Sequence, residues 1–167
     1  METAFIERIE EAALNAWPAP RQVLYDGWLL RFAGGPSKRV NSVNVRYRAR
    51  LPVDEKIRFC EAVYDRLGLP VIYRLPVPFT SPSLHKALQA AGYTDFDPTF
   101  VLGRKINEPE ELPHGAVARQ MPQTAWIELR ASLMGVPVVE LAIHSQILKA
   151  IVPEKTLLGL FIDDEPV

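Results

Sequence analysis

Residues 21–48 read RQVLYDGWLLRFAGGPSKRVNSVNVRYR. Leu24, Trp28, Leu30 and Phe32 fall on one strand face by alternation, and Val43, Val45 and Tyr47 share a face of the next strand. Gly34-Gly35-Pro36 between them is a hairpin connection, and Asp26-Gly27 is a second turn or bulge signal. The spacing predicts antiparallel strands at the centre of the first half of the chain.

Working outward, Phe5, Ile9, Ala12, Ala13 and Ala16 recur at helical spacing, and Trp17-Pro18-Ala19-Pro20 ends that helix. Downstream, Asp54 can cap a helix whose inner stripe is Ile57, Cys60, Val63, Tyr64 and Leu67, with Gly68 as its stop. PVIYRLP (70–76) is a short buried strand. Ser81-Pro82 opens a helix with Leu84, Ala87, Leu88 and Ala91 inward, and Gly92 closes it. TFVLGRKI (99–106) is expected to be a further strand. Residues 1–106 thus form one section of order α, β, β, α, β, α, β.

The stretch NEPEELPHG (107–115) is polar, turn-rich and without periodicity, and serves as a linker. After it comes the second section, 116–167. AVARQM is a strand, Pro122 opens a helix with Trp126, Leu129 and Leu133 on a stripe, and Pro137 opens another. That last helix, VVELAIHSQILKAI, is apolar on so many sides that little of it should face solvent. The chain closes with LLGLFIDDEPV (157–167). Leu158, Leu160 and Ile162 fall on one face of a strand and Leu157 and Phe161 on the other, as in a covered sheet. Asp163-Asp164-Glu165-Pro166 is turn chemistry, and Val167 begins a partner strand.

Bulk composition narrows the function. Net charge is -1, from 19 basic and 20 acidic residues, so nothing draws the chain to nucleic acid or to an anionic membrane. A single cysteine excludes an intrachain disulfide framework. No apolar run approaches the roughly 20 residues of a membrane span, and METAFIERIEEAAL is acidic and amphipathic, unlike a signal peptide. The expected compartment is the cytoplasm.

Two stretches carry a resemblance. ALNAWPAPRQVLYDGWLLRFAGGPSKRVNSVN, followed by LPVDEKIRFCEAVYDRLGLPVIYRL, is similar to the N-terminal part of a group of bacterial GNAT-family N-acetyltransferases. In that group a degenerate GNAT-like segment precedes a functional acetyl-CoA-binding one. The resemblance implies an α/β fold, mixed α+β with a largely antiparallel sheet. Residues 1–106 would be the degenerate domain, 107–115 the linker, and 116–167 the opening β-α-α-β of a second GNAT-like domain, incomplete at its C-terminus. The family grips the cofactor's pyrophosphate with an Arg/Gln-x-x-Gly-x-Gly/Ala loop at a helix start. Free amides, the helix dipole and glycine's close approach suit a polyanion. No such loop occurs here. The resemblance therefore implies acetyl-CoA for an intact member, and no cofactor and no activity for this chain alone.

Candidate site residues follow. GGPSKR (34–39) has glycines and two cations but joins strands, so it is a hairpin turn or a phosphate contact. RYRARLPVDEK (46–56) stands where the first section would carry a cofactor loop. It lacks glycine, and Asp54 and Glu55 would repel a diphosphate. Cys60 lies on an apolar stripe and is structural. His85, His114 and His144 show no metal-ligand spacing. His144 lies one turn after Glu140, where the GNAT pattern borders the acceptor cleft. The two either face a substrate or form an exposed i, i+4 pair. Asn41 and Asn44 are small amides in a strand, which either lie on ordinary sheet surface or line a pocket with Trp28.

By resemblance the chemistry of an intact member is direct acyl transfer. A small-molecule or peptide amine attacks the thioester, a backbone N–H polarises the carbonyl, and a tyrosine or water protonates the thiolate. The alternative is a non-catalytic binding or dimerisation module. In that case the terminal strand presents an unpaired edge and recruits a second copy. A hydrolase is disfavoured, since no Gly-x-Ser-x-Gly elbow is present.

Overall fold

A computed structural model describes residues 3–47, 50–103 and 112–167. The first part runs α1 (Thr3–Ala16), β1 (Arg21–Tyr25), β2 (Trp28–Phe32), β3 (Val43–Val45), α2 (Val53–Arg66), β4 (Tyr73–Arg74) and α3 (Pro82–Ala90). The second runs β5 (Ala116–Gln120), α4 (Gln123–Met134), α5 (Leu141–Lys149), β6 (Leu158–Ile162) and β7 (Glu165–Pro166). Two sheets result, in the orders β1-β2-β3-β4 and β5-β6-β7. All neighbours are antiparallel except β3 and β4, which are parallel and joined through α2. The class is α/β with antiparallel-dominated sheets and a GNAT-like order.

Asp26 and Gly27 form the two-residue turn of the β1–β2 hairpin. Their φ values are +39° and +82°, both left-handed, as a turn that follows the strand twist requires. The turn reverses the parity of the faces. Tyr25 and Val23 pair with Trp28 and Leu30, while Leu24 pairs with Leu29. Leu24 therefore does not share the Trp28 face, contrary to the alternation count, and is 62% exposed. Tyr47 is likewise exposed, so only Val43 and Val45 of its trio turn inward.

Trp28, Leu30, Phe32, Val43 and Val45 pack on Ile57, Cys60 and Tyr64 of α2 and on Leu84 and Leu88 of α3. Gly68 (φ +64°) and Gly92 (φ +91°) follow these helices as expected. Ser81 caps α3 by accepting from the Leu84 amide at 3.1 Å. Pro52, not Asp54, is the N-cap of α2.

The other face of this sheet is polar. Leu29, Arg31, Asn44 and Arg74 lie on it, and α1 is tied to it by charge. The Glu10 carboxylate accepts from both Arg74 guanidinium nitrogens, one at 2.8 Å. Arg31 donates to the carbonyls of Trp17, of Leu14 at 3.5 Å and of Arg39 at 2.9 Å, which satisfies the end of α1. The expected α1 stripe is thus displaced. Phe5, Ala12, Ala13 and Ala16 face water, while Ile6, Ile9, Glu10 and Leu14 turn toward the protein.

Four further expectations are corrected. Residues 99–103 form no strand, and Phe100 and Leu102 are exposed; residues 104–106 and the linker's 107–111 lie outside the described residues. Residues 138–150 begin with a 3-10 turn, Val138–Glu140, before α5, and Val138 and Val139 are 80% and 78% exposed. Leu133 faces water, and the inner residues of α4 are Ile127 and Ala131. Lastly, β6 is an edge only in part: β5 pairs with all five of its residues on one side, and β7 pairs with Phe161 and Ile162 on the other, across the Asp163-Asp164 turn (φ +50° and +67°). Its Leu158, Leu160 and Ile162 face is open, whereas Gly159 is buried beneath Met121, Leu129 and Phe161.

Candidate functional site

In the resembled fold, the cofactor seat is the start of the helix that links two parallel strands. Here β3, α2 and β4 have that arrangement. A side chain of the chain itself fills the entrance to α2. The Asp26 carboxylate accepts from the Arg50 amide at 2.9 and 3.1 Å and from the Leu51 amide at 2.9 Å. Lys56, fully buried, donates to the Asp26 carbonyl and has its ammonium 3.4 Å from the carboxylate. The same ammonium sits 4.0 Å from the centre of the Trp28 ring, so its charge is held between an acid and a π face.

The electrostatics follow from these contacts. The Leu51 amide first, then the Arg50 amide and Lys56, hold the Asp26 carboxyl below the ordinary carboxylate range. Burial lowers Lys56, against the pull of Asp26. Asp54 and Glu55 add negative charge in the first helical turn. The Arg50 and Leu51 amides just ahead of the helix thus already hold a carboxylate, and Asp54 and Glu55 add two acids beside it, surroundings that disfavour a diphosphate. The sequence marked the missing glycine; it did not reveal Asp26, because the contact spans 24 residues.

The five candidate residues fall in three places. Trp28 is a core residue beneath Lys56. Asn44 is buried on the opposite face, its amide donating to the Ser42 carbonyl at 3.1 Å, and its Oδ1 has no protein partner. Trp28 and Asn44 therefore line no common pocket.

Asn41 is also buried and pins the GGPS loop. Its Oδ1 accepts from the amides of Ala33 (2.9 Å) and Gly34 (3.0 Å). Its Nδ2 donates to the carbonyls of Gly34 (2.9 Å), Gly35 (3.1 Å) and Ser37 (3.0 Å). Lys38 of the same loop is committed to Asp97 at 3.0 Å.

The loop that Asn41 shapes receives α5. Ile147 packs on Ala19 and Val40, all three buried, with Trp17, Ala33 and Ile143 around them. A Cβ at Gly35 would stand 2.7 Å from Ile143 Cδ1, and Gly35 has φ +66°, so only glycine is unstrained there. His144 lies in the same seam. Its ring centre is 6.1 Å from that of Trp17, and its Nδ1 is 3.4 Å from Arg130 of α4. Burial first, then Arg130, lowers its pKa, while Glu140 acts in the opposite sense. His144 is thus buried, not half of an exposed pair.

Cys60 is buried, and desolvation pushes its thiol up to about 12, so it is unreactive. His85 is held by the Asp95 carboxylate at 2.9 Å. Among the described residues, no cluster of His, Cys, Asp or Glu is arranged to hold a metal, and no helix is long and apolar enough to cross a membrane.

The order β3-α2-β4, followed by β5-α4-α5-β6, is the GNAT-like arrangement of elements that the resemblance implies. Residues 3–157 match the family described as "Probable histone acetyltransferase Rv0428c C-terminal", and the chain belongs to that family. Over 96 residues it is 36% identical to a Bacillus subtilis (strain 168) protein, YobR, described as an uncharacterized N-acetyltransferase. That alignment takes in 57% of this chain and 37% of YobR. No solved structure matches the chain.

Proposed function

We propose that this chain works within an acetyl-CoA-dependent N-acetyltransferase whose first unit, residues 1–106, builds and docks the structure and does not grip the cofactor. The observation that carries this reading is the Asp26 carboxylate on the Arg50 and Leu51 amides. An anion seat already satisfied by an internal carboxylate has no net gain to offer a diphosphate. Residues 116–167 then serve as the opening elements of the second GNAT-like domain, with α5 seated on the first unit. The acceptor in this reading is a small-molecule or peptide amine, and the working compartment is the cytoplasm. Asn41 and His144 act by holding the seam between the two parts, and Asn44 lies beneath the acceptor side.

Thiol release from acetyl-CoA tests it, using this 167-residue chain and a panel of primary amines. The expected result is a rate no higher than the uncatalysed one. Amine-dependent release that survives purification to homogeneity contradicts the reading.

A second reading, a homodimerisation module, draws on the open Leu158, Leu160 and Ile162 face beside the short edge strand β7. Light scattering behind size exclusion decides it. A dimer that Leu160→Lys converts to monomer supports this reading, and a monomer at high concentration removes it.

A further inference from the structure

The outer strand β1 and the C-terminal end of α2 form a surface away from the α2 entrance. β1 is the terminal strand of its sheet and pairs with β2 alone. With one neighbour, every second backbone N–H and C=O of such a strand faces outward. Among the described residues nothing bonds those groups of β1, and residues 21–24 are exposed. Arg21, Val23 and Tyr25 share the face toward α2, since they pair in register with Phe32, Leu30 and Trp28. Tyr25 stacks on Phe59 of α2, ring centres 3.8 Å apart, which fixes one end of β1 against the helix. Toward the other end a groove of about 240 Å³ opens between strand and helix. Its floor is apolar, from Val23, Phe32, Val63 and Leu67, and its charges are Arg21 and Arg66. No acid lines it. Among the described residues neither arginine forms an ion pair. An open backbone edge, an apolar floor and two uncommitted cations therefore lie side by side.

We propose that the β1 edge receives an extended protein segment carrying an aliphatic residue and, two positions on, an acid. The added strand bonds to the outward backbone of β1. Its alternate side chains turn toward α2, about 6–7 Å apart along the strand. That is the step from Val23 to Arg21 on β1 itself, so the aliphatic residue meets the floor where the acid meets the arginines. Charge decides among occupants. β1 reads RQVLY, so a second copy laid on this edge brings another arginine and no acid. A basic segment is repelled for the same reason. The binding needs neither cofactor nor acyl transfer, and so stands apart from the acetyltransferase reading.

The test is an amide-NMR titration of the 167-residue chain at low salt with the acetylated and amidated hexapeptide STVTES. One control, STVTQS, lacks the charge. A second, STVETS, puts the acid on the opposite face of the strand. Saturable shifts confined to residues 21–25 and 63–67 are expected with the first peptide. Its affinity should exceed that of either control about three- to fivefold. Arg66→Gln, at the exposed end of α2, should erase that margin. Methylating alternate peptide nitrogens separates strand pairing from loose adhesion. One set of methyl groups should abolish the shifts and the other spare them, because only every second amide faces β1. Absent shifts, no margin over a control, a margin that survives Arg66→Gln, or equal effects of the two methylated sets would each overturn the proposal. Shifts at β1 that follow protein concentration with no peptide present would overturn it in favour of a second copy.

Discussion

Asn41 satisfies five backbone groups of a single loop, which no aliphatic residue can do. Asn41→Ala should cost about 2–3 kcal/mol, since all five bonds are partly buried and their backbone groups lose a protein partner together. Urea denaturation of the two proteins measures it. Asp26 gives a pH signature. Its folded carboxyl titrates below the ordinary range, so its contribution is complete above about pH 4 and is lost as pH falls through the lower folded value. Asp26→Asn keeps a residue at ease with positive φ but loses the charge. The stability gap between the native chain and this variant should be widest at neutral pH and should close below about pH 4. A gap that persists into acid would mean the carboxylate's charge is not what the amides recognise. At this scale the sequence was legible where chemistry is local. Cys60, the Asp26-Gly27 turn and the Ser81 cap each follow from a few neighbouring residues. Asp26 as occupant of the α2 entrance was not legible, because a turn residue gives no local sign of the amides it will meet.

Elements were legible wherever their periodicity met a single apolar neighbour. The helix pattern of α2 and α3 named most of the core, because both lie on the same apolar sheet face. The pattern failed for α1, where the neighbour is a row of buried polar side chains and the anchoring residue is Glu10. It failed for Leu24 because a two-residue turn shifts face parity between strands that an unbroken count treats as one. The seam between α5 and the GGPS loop was hidden, since no local pattern says which helix will cover a hairpin. Ile147 is fully buried there, so Ile147→Ala should cost about 2–4 kcal/mol and loosen α5 from the first unit. Faster hydrogen exchange in α5 than in α2 would report it. The same seam should respond to acid. His144 is held neutral, so its contribution is complete above its unfolded pKa of about 6.5 and is lost as pH falls through the lower folded value. Arg130 faces it from α4 and Glu140 from the preceding turn. The native chain should lose melting temperature between about pH 7 and 5, and His144→Gln should not. Equal losses in both would place the acid sensitivity elsewhere.

For the molecule as a whole, the order of elements carried the class of fold, and the hairpin and its flanks carried the family. What the order could not carry is the division of labour. In the function proposed above, the strand–helix–strand unit keeps its outline while the Asp26 carboxylate holds the Arg50 and Leu51 amides, a contact that no local pattern announces. The melting temperature of this chain, followed against acetyl-CoA concentration, bears on this most directly. A cofactor held at about a hundred times its dissociation constant would add about 2.7 kcal/mol, which is several degrees for a chain of this size. No shift up to millimolar cofactor is expected. A saturable rise of several degrees would contradict the assignment of the α2 entrance to Asp26.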